Sequence, residues 1–209
     1  MSTLASMQWR YATKKFDAEK PLPDEQVRDL LETVGLAPSS FGLQPYRLIR
    51  VDDQPTRERI SQAAMGQPQI TGGSHLIVFA VETRIDAAAV GRFVDRAAVA
   101  RGVARDALAA REAQIVAAMG KMDQATRIDW AKRQAYLALG VLVGAAAQAG
   151  IDLCPMEGFD QAGVDAILGL PEQGLTATVF AVLGHRAGDD PAARVAKVRK
   201  PFDQLVLAI

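Results

Sequence analysis

Three observations predict an α/β or α+β fold for this chain. Four short apolar runs, Tyr46–Val51, His75–Val81, Ile151–Cys154 and Thr176–Leu183, have the length and side-chain content of core strands. Segments with helical period lie between them, and two more form an excursion at 86–120. No repeat, low-complexity linker or composition shift divides the 209 residues, so 1–209 reads as a single domain. A chain of that length buries roughly 70% of its unfolded surface in one core.

The elements follow in order. A short amphipathic helix is expected over Thr3–Trp9, with Leu4, Met7 and Trp9 facing inward. It runs into Arg10-Tyr11-Ala12-Thr13-Lys14-Lys15-Phe16, where three cations fall within six residues, either a solvated face or an anion site. Pro23, Asp24 and Glu25 start a second helix whose stripe is Val27, Leu30, Leu31 and Val34, ended by Gly35 and Pro38. Pro38-Ser39-Ser40-Phe41-Gly42-Leu43-Gln44-Pro45 is a loop of small hydroxyls that carries two apolar side chains, a connection or the wall of an apolar pocket. A surface helix spans Thr56–Met65, and Gln67, Gln69, Gly72 and Gly73 lie in a flexible polar loop before the second strand. His75, at a strand entrance, reads as a structural hydrogen-bonding residue. Two alanine-rich amphipathic helices, broken near Gly102, fill 86–120 and suit a lid.

The run from Asp129 to Gly150 organises the chain. Asp129 is its candidate N-cap and Gly150 its left-handed stop. From Gln134 to Gly150 it holds 17 uncharged residues, short of the roughly 20 needed to cross a bilayer. Gly140 and Gly144 share one face, where another backbone can approach closely. The helix is read either as an ordinary buried central helix or as one buried on all sides because a second subunit covers the face its own domain leaves bare, and the second reading is favoured. Past the third strand, Pro155–Asp160 reads as a tight turn and Asp160 as the cap of a helix to Leu168. The last 26 residues hold no strong helical period, but carry Lys197, Arg199 and the apolar Leu205-Val206-Leu207, and docking on a neighbouring subunit accounts for them.

Composition narrows the function. A formal net charge of zero offers no bulk attraction to nucleic acid or an anionic membrane. One cysteine, Cys154, rules out an intramolecular disulfide, and with no apolar leader at the start the chain is expected to be cytoplasmic. His75, His185 and Cys154 show no metal-ligand spacing, so no metal is expected. Nucleophile elbows, P-loops and G-x-G-x-x-G patterns do not occur, which leaves hard chemistry to an organic cofactor.

The basic clusters near both ends, the Pro-Ser-Ser loop, and Pro155-Met156-Glu157-Gly158-Phe159-Asp160 after an all-apolar helix together resemble the flavin-dependent nitroreductases. Within them the oxygen-insensitive NAD(P)H enzymes related to dihydropteridine reductase are the most similar. The resemblance covers Met7 to Pro201, in the family's order. It implies an α+β, three-layer fold with a mainly antiparallel sheet and a C-terminal tail wrapping the partner subunit. It also implies a homodimer with one tightly bound FMN per subunit at the interface, NAD(P)H as co-substrate, and ping-pong hydride transfer to nitroaromatics or quinones. Reduction of activated C=C or C=O bonds, and non-catalytic flavin binding, are the alternatives.

By that resemblance Arg10 binds the FMN phosphate within a segment that includes Tyr11 and Ala12, and Lys14 reaches the ribityl and pyrimidine side. Pro38, Ser39, Ser40 and Gly42 reach the flavin held by the other subunit, with Gln134 also at the cofactor. Gln67 and Gln69 match the segment at the pyrimidine edge. Pro155, Met156, Glu157 and Gly158 match the turn behind the isoalloxazine, where a backbone N–H of Glu157 or Gly158 faces flavin N5. Lys197 and Arg199 match the pair that closes on the phosphate, and Phe41 walls the acceptor pocket. Three departures stand out: Ala12 replaces a common serine, Gln69 replaces a lysine found in some relatives, and Phe41 is bulkier than its usual counterpart. They imply one phosphate contact fewer, a lower flavin potential and a narrower acceptor pocket.

Overall fold

The computed structural model describes residues 2–209. In chain order the elements are α1 (Thr3–Trp9), α2 (Asp24–Gly35), β1 (Tyr46–Val51), α3 (Gln54–Ala63), α4 (Gln69–Gly72), β2 (His75–Glu82), α5 (Ala87–Arg101), α6 (Ala109–Gly120), α7 (Gln124–Gln148), β3 (Asp152–Met156), α8 (Gln161–Leu168), β4 (Leu175–Gly184) and α9 (Phe202–Leu205). The strands form one sheet in the order β1-β2-β4-β3, with every pairing antiparallel. The fold is α+β.

Period-two alternation along β2 and β4 builds the three layers. Ile77, Phe79, Val81, Val179, Ala181 and Leu183 pack towards α2, α5, α6 and α7. Leu76, Val78, Ala80, Phe180 and Val182 pack towards α3 and α8. The apolar strands are continuous because helices cover both faces. Phe79 and Phe180 anchor opposite faces with no exposed area, and truncating either to alanine costs about 3–5 kcal/mol. Gly73 lets the chain pass tightly over β4: a Cβ there would lie 2.1 Å from Val182 Cγ1.

Several boundaries differ from the sequence expectation. α7 is capped six residues before Asp129, by Asp123, whose carboxylate accepts from the Thr126 N–H at 2.8 Å. Its first two turns are polar because they face solvent, so the apolar run marked the buried part of the helix and not its start. β3 continues through Pro155 and Met156, paired to Ala181 and Phe180, since an edge strand tolerates proline. Asp160 occupies the N-cap position of α8 but makes no side-chain cap bond. Gln69, expected in a loop, opens α4 and is buried. Within the tail, Pro191–Arg194 and α9 form single turns.

α1 departs most. Ser6 is its one buried residue, while Leu4 and Met7 point outward, 68% and 40% exposed. The excursion divides as expected: Gly102, at φ 63°, ends α5 in the left-handed conformation, and α6 follows. Among the described residues, no helix is long and apolar enough to cross a membrane.

Candidate functional site

The residue after α1 begins a recess at the β3 edge. Ala12 makes a parallel bridge to Leu153, so the segment 10–14 covers the strand edge left open by the sheet. Asp152 and Asp190, both buried, hold this segment. Asp152 accepts from Thr13 Oγ1 at 3.4 Å and from Arg186 Nε at 2.7 Å. The Arg186 guanidinium lies between the Trp9 and Tyr11 rings, 4.2 and 4.5 Å from their centroids. Asp190 accepts from the Tyr11 hydroxyl and from the Lys14 N–H, each at 2.9 Å. Burial alone would push the Asp190 carboxyl up, but the Lys14, Ala192 and Tyr11 donors outweigh it and hold it below the ordinary range. Burial and the same contact push the Tyr11 phenol up to about 12.

The recess is cationic. Burial, then the nearby Arg199, lowers the Arg10 guanidinium, and its Nε is buried without a partner. Lys197 is pulled down by partial loss of solvent and by Arg10, Arg199 and Arg186. Its amine reaches the Gln8 carbonyl, which brings the tail across the end of α1. Lys14 Nζ lies 4.0 Å from Cys154 Sγ, while burial raises that thiol against the pull of Lys14 and Arg10. A cavity of about 360 Å³ opens here between Gln8, Trp9, Tyr11, Val195 and Lys197. Like charges with an orphaned donor among them form a site that a polyanion would complete. An FMN phosphate fits that test on charge and donor type.

Beside the recess, β3 ends in the turn at Glu157 and Gly158. Gln67 Nε2 donates to the Gly158 carbonyl at 2.8 Å and fixes the peptide plane. Among the described residues, the Glu157 and Gly158 N–H groups donate to no part of the chain. Gln69 is buried with its Oε1 unpartnered. A bulge lies close by: Phe79 pairs with Val179 and Ala80 with Ala177, leaving Thr178 as the extra residue. Thr178, Tyr136, Glu157 and Phe159 line a cavity of about 210 Å³. Burial and the facing Glu157 push Tyr136 above its ordinary value.

The Pro38–Gly42 loop belongs to the other helical layer. The Ser40 N–H donates to Gln134 Oε1 at 2.8 Å, and Gln134 Nε2 donates back to the Trp130 carbonyl. Ser39 Oγ accepts from the Gln44 N–H at 3.0 Å. Phe41 adopts φ 59°, a left-handed conformation that is strained for a bulky side chain, beneath Arg111 at 5.3 Å. Its neighbours belong to the α2/α6/α7 layer, whereas Ala12 and Met156 pack with the α3/α8 layer. One chain thus brings Arg10, Tyr11, Ala12, Lys14, Lys197 and Arg199 together, with Gln67, Gln69 and Pro155–Gly158 nearby. It leaves Pro38, Ser39, Ser40, Phe41, Gly42 and Gln134 apart from them.

Asp152, Asp190, Arg186 and Thr178 were not foreseen. Asp190-Pro191 carries a turn signal, but nothing local shows that Asp190 bonds a residue 176 positions away. His75 is a structural residue: Nδ1 meets Ser74 Oγ at 2.9 Å and Nε2 meets Asp24 at 3.4 Å.

A four-stranded antiparallel sheet between helical layers, with a cationic recess at its β3 edge, defines a three-layer α+β protein. The chain belongs to the Nitroreductase family, whose sequence profile matches residues 7–185, and it is an oxidoreductase of that type. It is 31% identical over 205 residues to the oxygen-insensitive NAD(P)H nitroreductase of Enterobacter cloacae, covering 94% of each chain. The crystal structure of the nitroreductase ydfN of Bacillus subtilis superposes with a TM-score of 0.87 at 25% identity, over 99% of this chain and 98% of that one. A nitroreductase from Exiguobacterium sibiricum, solved in complex with FMN, gives 0.83 at 19% identity over 100% and 98%.

Proposed function

We propose that this chain is a single-domain, FMN-dependent NAD(P)H oxidoreductase acting on electron-poor acceptors such as nitroaromatics and quinones. The observation that carries the reading is the recess where Arg10, Lys14, Lys197 and Arg199 converge, beside the Glu157 and Gly158 N–H groups, which donate to no other described residue. FMN, when bound, would supply ping-pong hydride chemistry between NAD(P)H and the second substrate.

The chain's own work is binding and orientation. Arg10 and Arg199 match phosphate oxygens with forked donors, and Lys197 adds a point charge. Lys14 places a cation on the ribityl and pyrimidine side, near where reduction deposits negative charge. The Phe159 N–H, donating to the Glu157 carbonyl at 3.0 Å, holds the peptide that carries the Gly158 N–H, while Gln67 steadies the Gly158 carbonyl; together they would aim the Gly158 N–H at the ring edge, and Gln69 would offer its unpartnered oxygen to the pyrimidine. Ala12 supplies no hydroxyl, so the phosphate rests more heavily on Arg10.

The site is completed by a second copy. On α7, Leu137 is 46% exposed, and nothing lies within 4 Å of a Cβ built at Gly140 or Gly144. This bare stripe, the outward Leu4 and Met7 of α1, and the exposed Val198, Phe202 and Leu207 of the tail are apolar surface that a homodimer would cover. In that arrangement the Pro38–Gly42 loop and Phe41 of one subunit wall the pocket of the other, and the 86–120 helices stand over it as a lid.

Purified protein is expected to be yellow, or to take up FMN, and to bleach anaerobically with NADH or NADPH. Colourless protein that FMN cannot reconstitute overturns the proposal. Nitro, quinone, enal and semialdehyde acceptors compared by kcat/KM separate the nitroreductase from the C=C or C=O reductase.

A further inference from the structure

Two distant parts of the chain meet at the recess, and one buried carboxylate holds both. Asp190 is 2% exposed. One of its oxygens accepts from the Tyr11 hydroxyl and the Lys14 N–H, both at 2.9 Å. The other accepts from the Ala192 N–H at 3.0 Å and caps the turn Pro191–Arg194 that leads into Lys197 and Arg199. Among the described residues, no lysine or arginine head group forms an ion pair with it. A carboxylate beside four cations would ordinarily neutralise one of them. This one spends its acceptors on backbone and phenol donors, which leaves the Lys14 amine and the Arg10 guanidinium free.

We propose that Asp190 is a positioning residue that clasps the Tyr11–Lys14 segment to the C-terminal arm and so sets the preference of the recess for a phosphorylated flavin over an unphosphorylated one. The inference rests on the reading of the recess as a phosphate site. A carboxylate repels a phosphate, so the negative charge of Asp190 opposes an anion in the recess. Its benefit therefore comes through geometry, since it fixes where Lys14 leaves the backbone and where the arm turns back towards Arg10. Replacement by asparagine removes the opposing charge, but it also puts an amide donor among N–H donors that all need an acceptor. The clasp and the bulk charge therefore predict opposite signs.

The test compares the Kd of FMN and of riboflavin, read by quenching of flavin fluorescence on apo-protein, for wild type, Asp190→Asn and Tyr11→Phe. Wild type is expected to prefer FMN. Asp190→Asn should lose about tenfold of that preference, equivalent to one charge-assisted hydrogen bond, with riboflavin affinity falling less than FMN affinity because Lys14 serves both flavins. Tyr11→Phe keeps the two backbone bonds and should lose the same preference by a smaller factor, which settles the matter even if the asparagine variant fails to fold. An unchanged or increased preference for FMN in a folded variant, or equal losses for both flavins, overturns the clasp. A wild type that binds FMN no better than riboflavin instead overturns the phosphate reading beneath it.

Discussion

Arg10 holds a half-buried charge with no partner for its Nε and with Arg199 as a close neighbour, an arrangement that weakens the ligand-free protein. Arg10→Gln should therefore raise the melting stability of apo-protein by up to about 1 kcal/mol while lowering FMN affinity about a hundredfold. Calorimetry and flavin titration check both arms; a variant that loses stability and keeps FMN refutes the assignment. Phe41 stores strain of a different kind. Glycine adopts φ 59° freely and alanine does not, so Phe41→Gly should be more stable than Phe41→Ala by about 1 kcal/mol, although alanine keeps more side chain. Both variants should raise kcat/KM for bulky acceptors severalfold, if Phe41 narrows the pocket. At this scale a motif marks Arg10, Lys14 and Glu157 in the sequence as candidates, and the fold brings Arg10 and Lys14 together beside Cys154. Asp190 and Asp152 were not, because their partners lie far away along the chain and an aspartate in a polar segment carries no local mark of burial.

α7 shows how an element is read by its uncovered side. Glycine lowers helix stability by about 1 kcal/mol against alanine, and nothing in the chain crowds Gly140 or Gly144. In an isolated subunit, Gly140→Leu should then stabilise the helix without a clash. Across a close-packed dimer seam it should split the dimer and release the flavin, and light scattering with the flavin absorbance tells the two outcomes apart. Strands were placed within a residue or two of their observed ends, since continuous apolar runs between turn residues specify them closely. Helix starts were less legible. The cap at Asp123 sits among solvent-facing residues, where hydrophobic periodicity is silent, and the apparent inward face of α1 proved to face outward. Periodicity identifies the apolar face of a helix; it does not say whether that face meets its own subunit or another.

The whole molecule exposes more apolar surface than one subunit needs. Deletion of residues 195–209 removes Val198, Phe202 and Leu207 together with Lys197 and Arg199, and should yield a colourless monomer. A truncated chain that stays dimeric and yellow excludes the wrapping tail. The alternation of strands and helices narrowed the class to α/β or α+β; the three layers and the antiparallel sheet came from the family resemblance, and the strand order β1-β2-β4-β3 came from neither, because pairing across the sheet has no local signal. The bridge between Ala12 and Leu153, and the bond from Asp190 back to Lys14, carry one more consequence. A chain leaving the ribosome shows Arg10 early but cannot build the recess until residues 190–199 have emerged. On the proposed reading, flavin capture waits for that segment. Until then the segment that covers the β3 edge lacks its Asp190 anchor, and in that interval the edge is more open to pairing with the wrong strand.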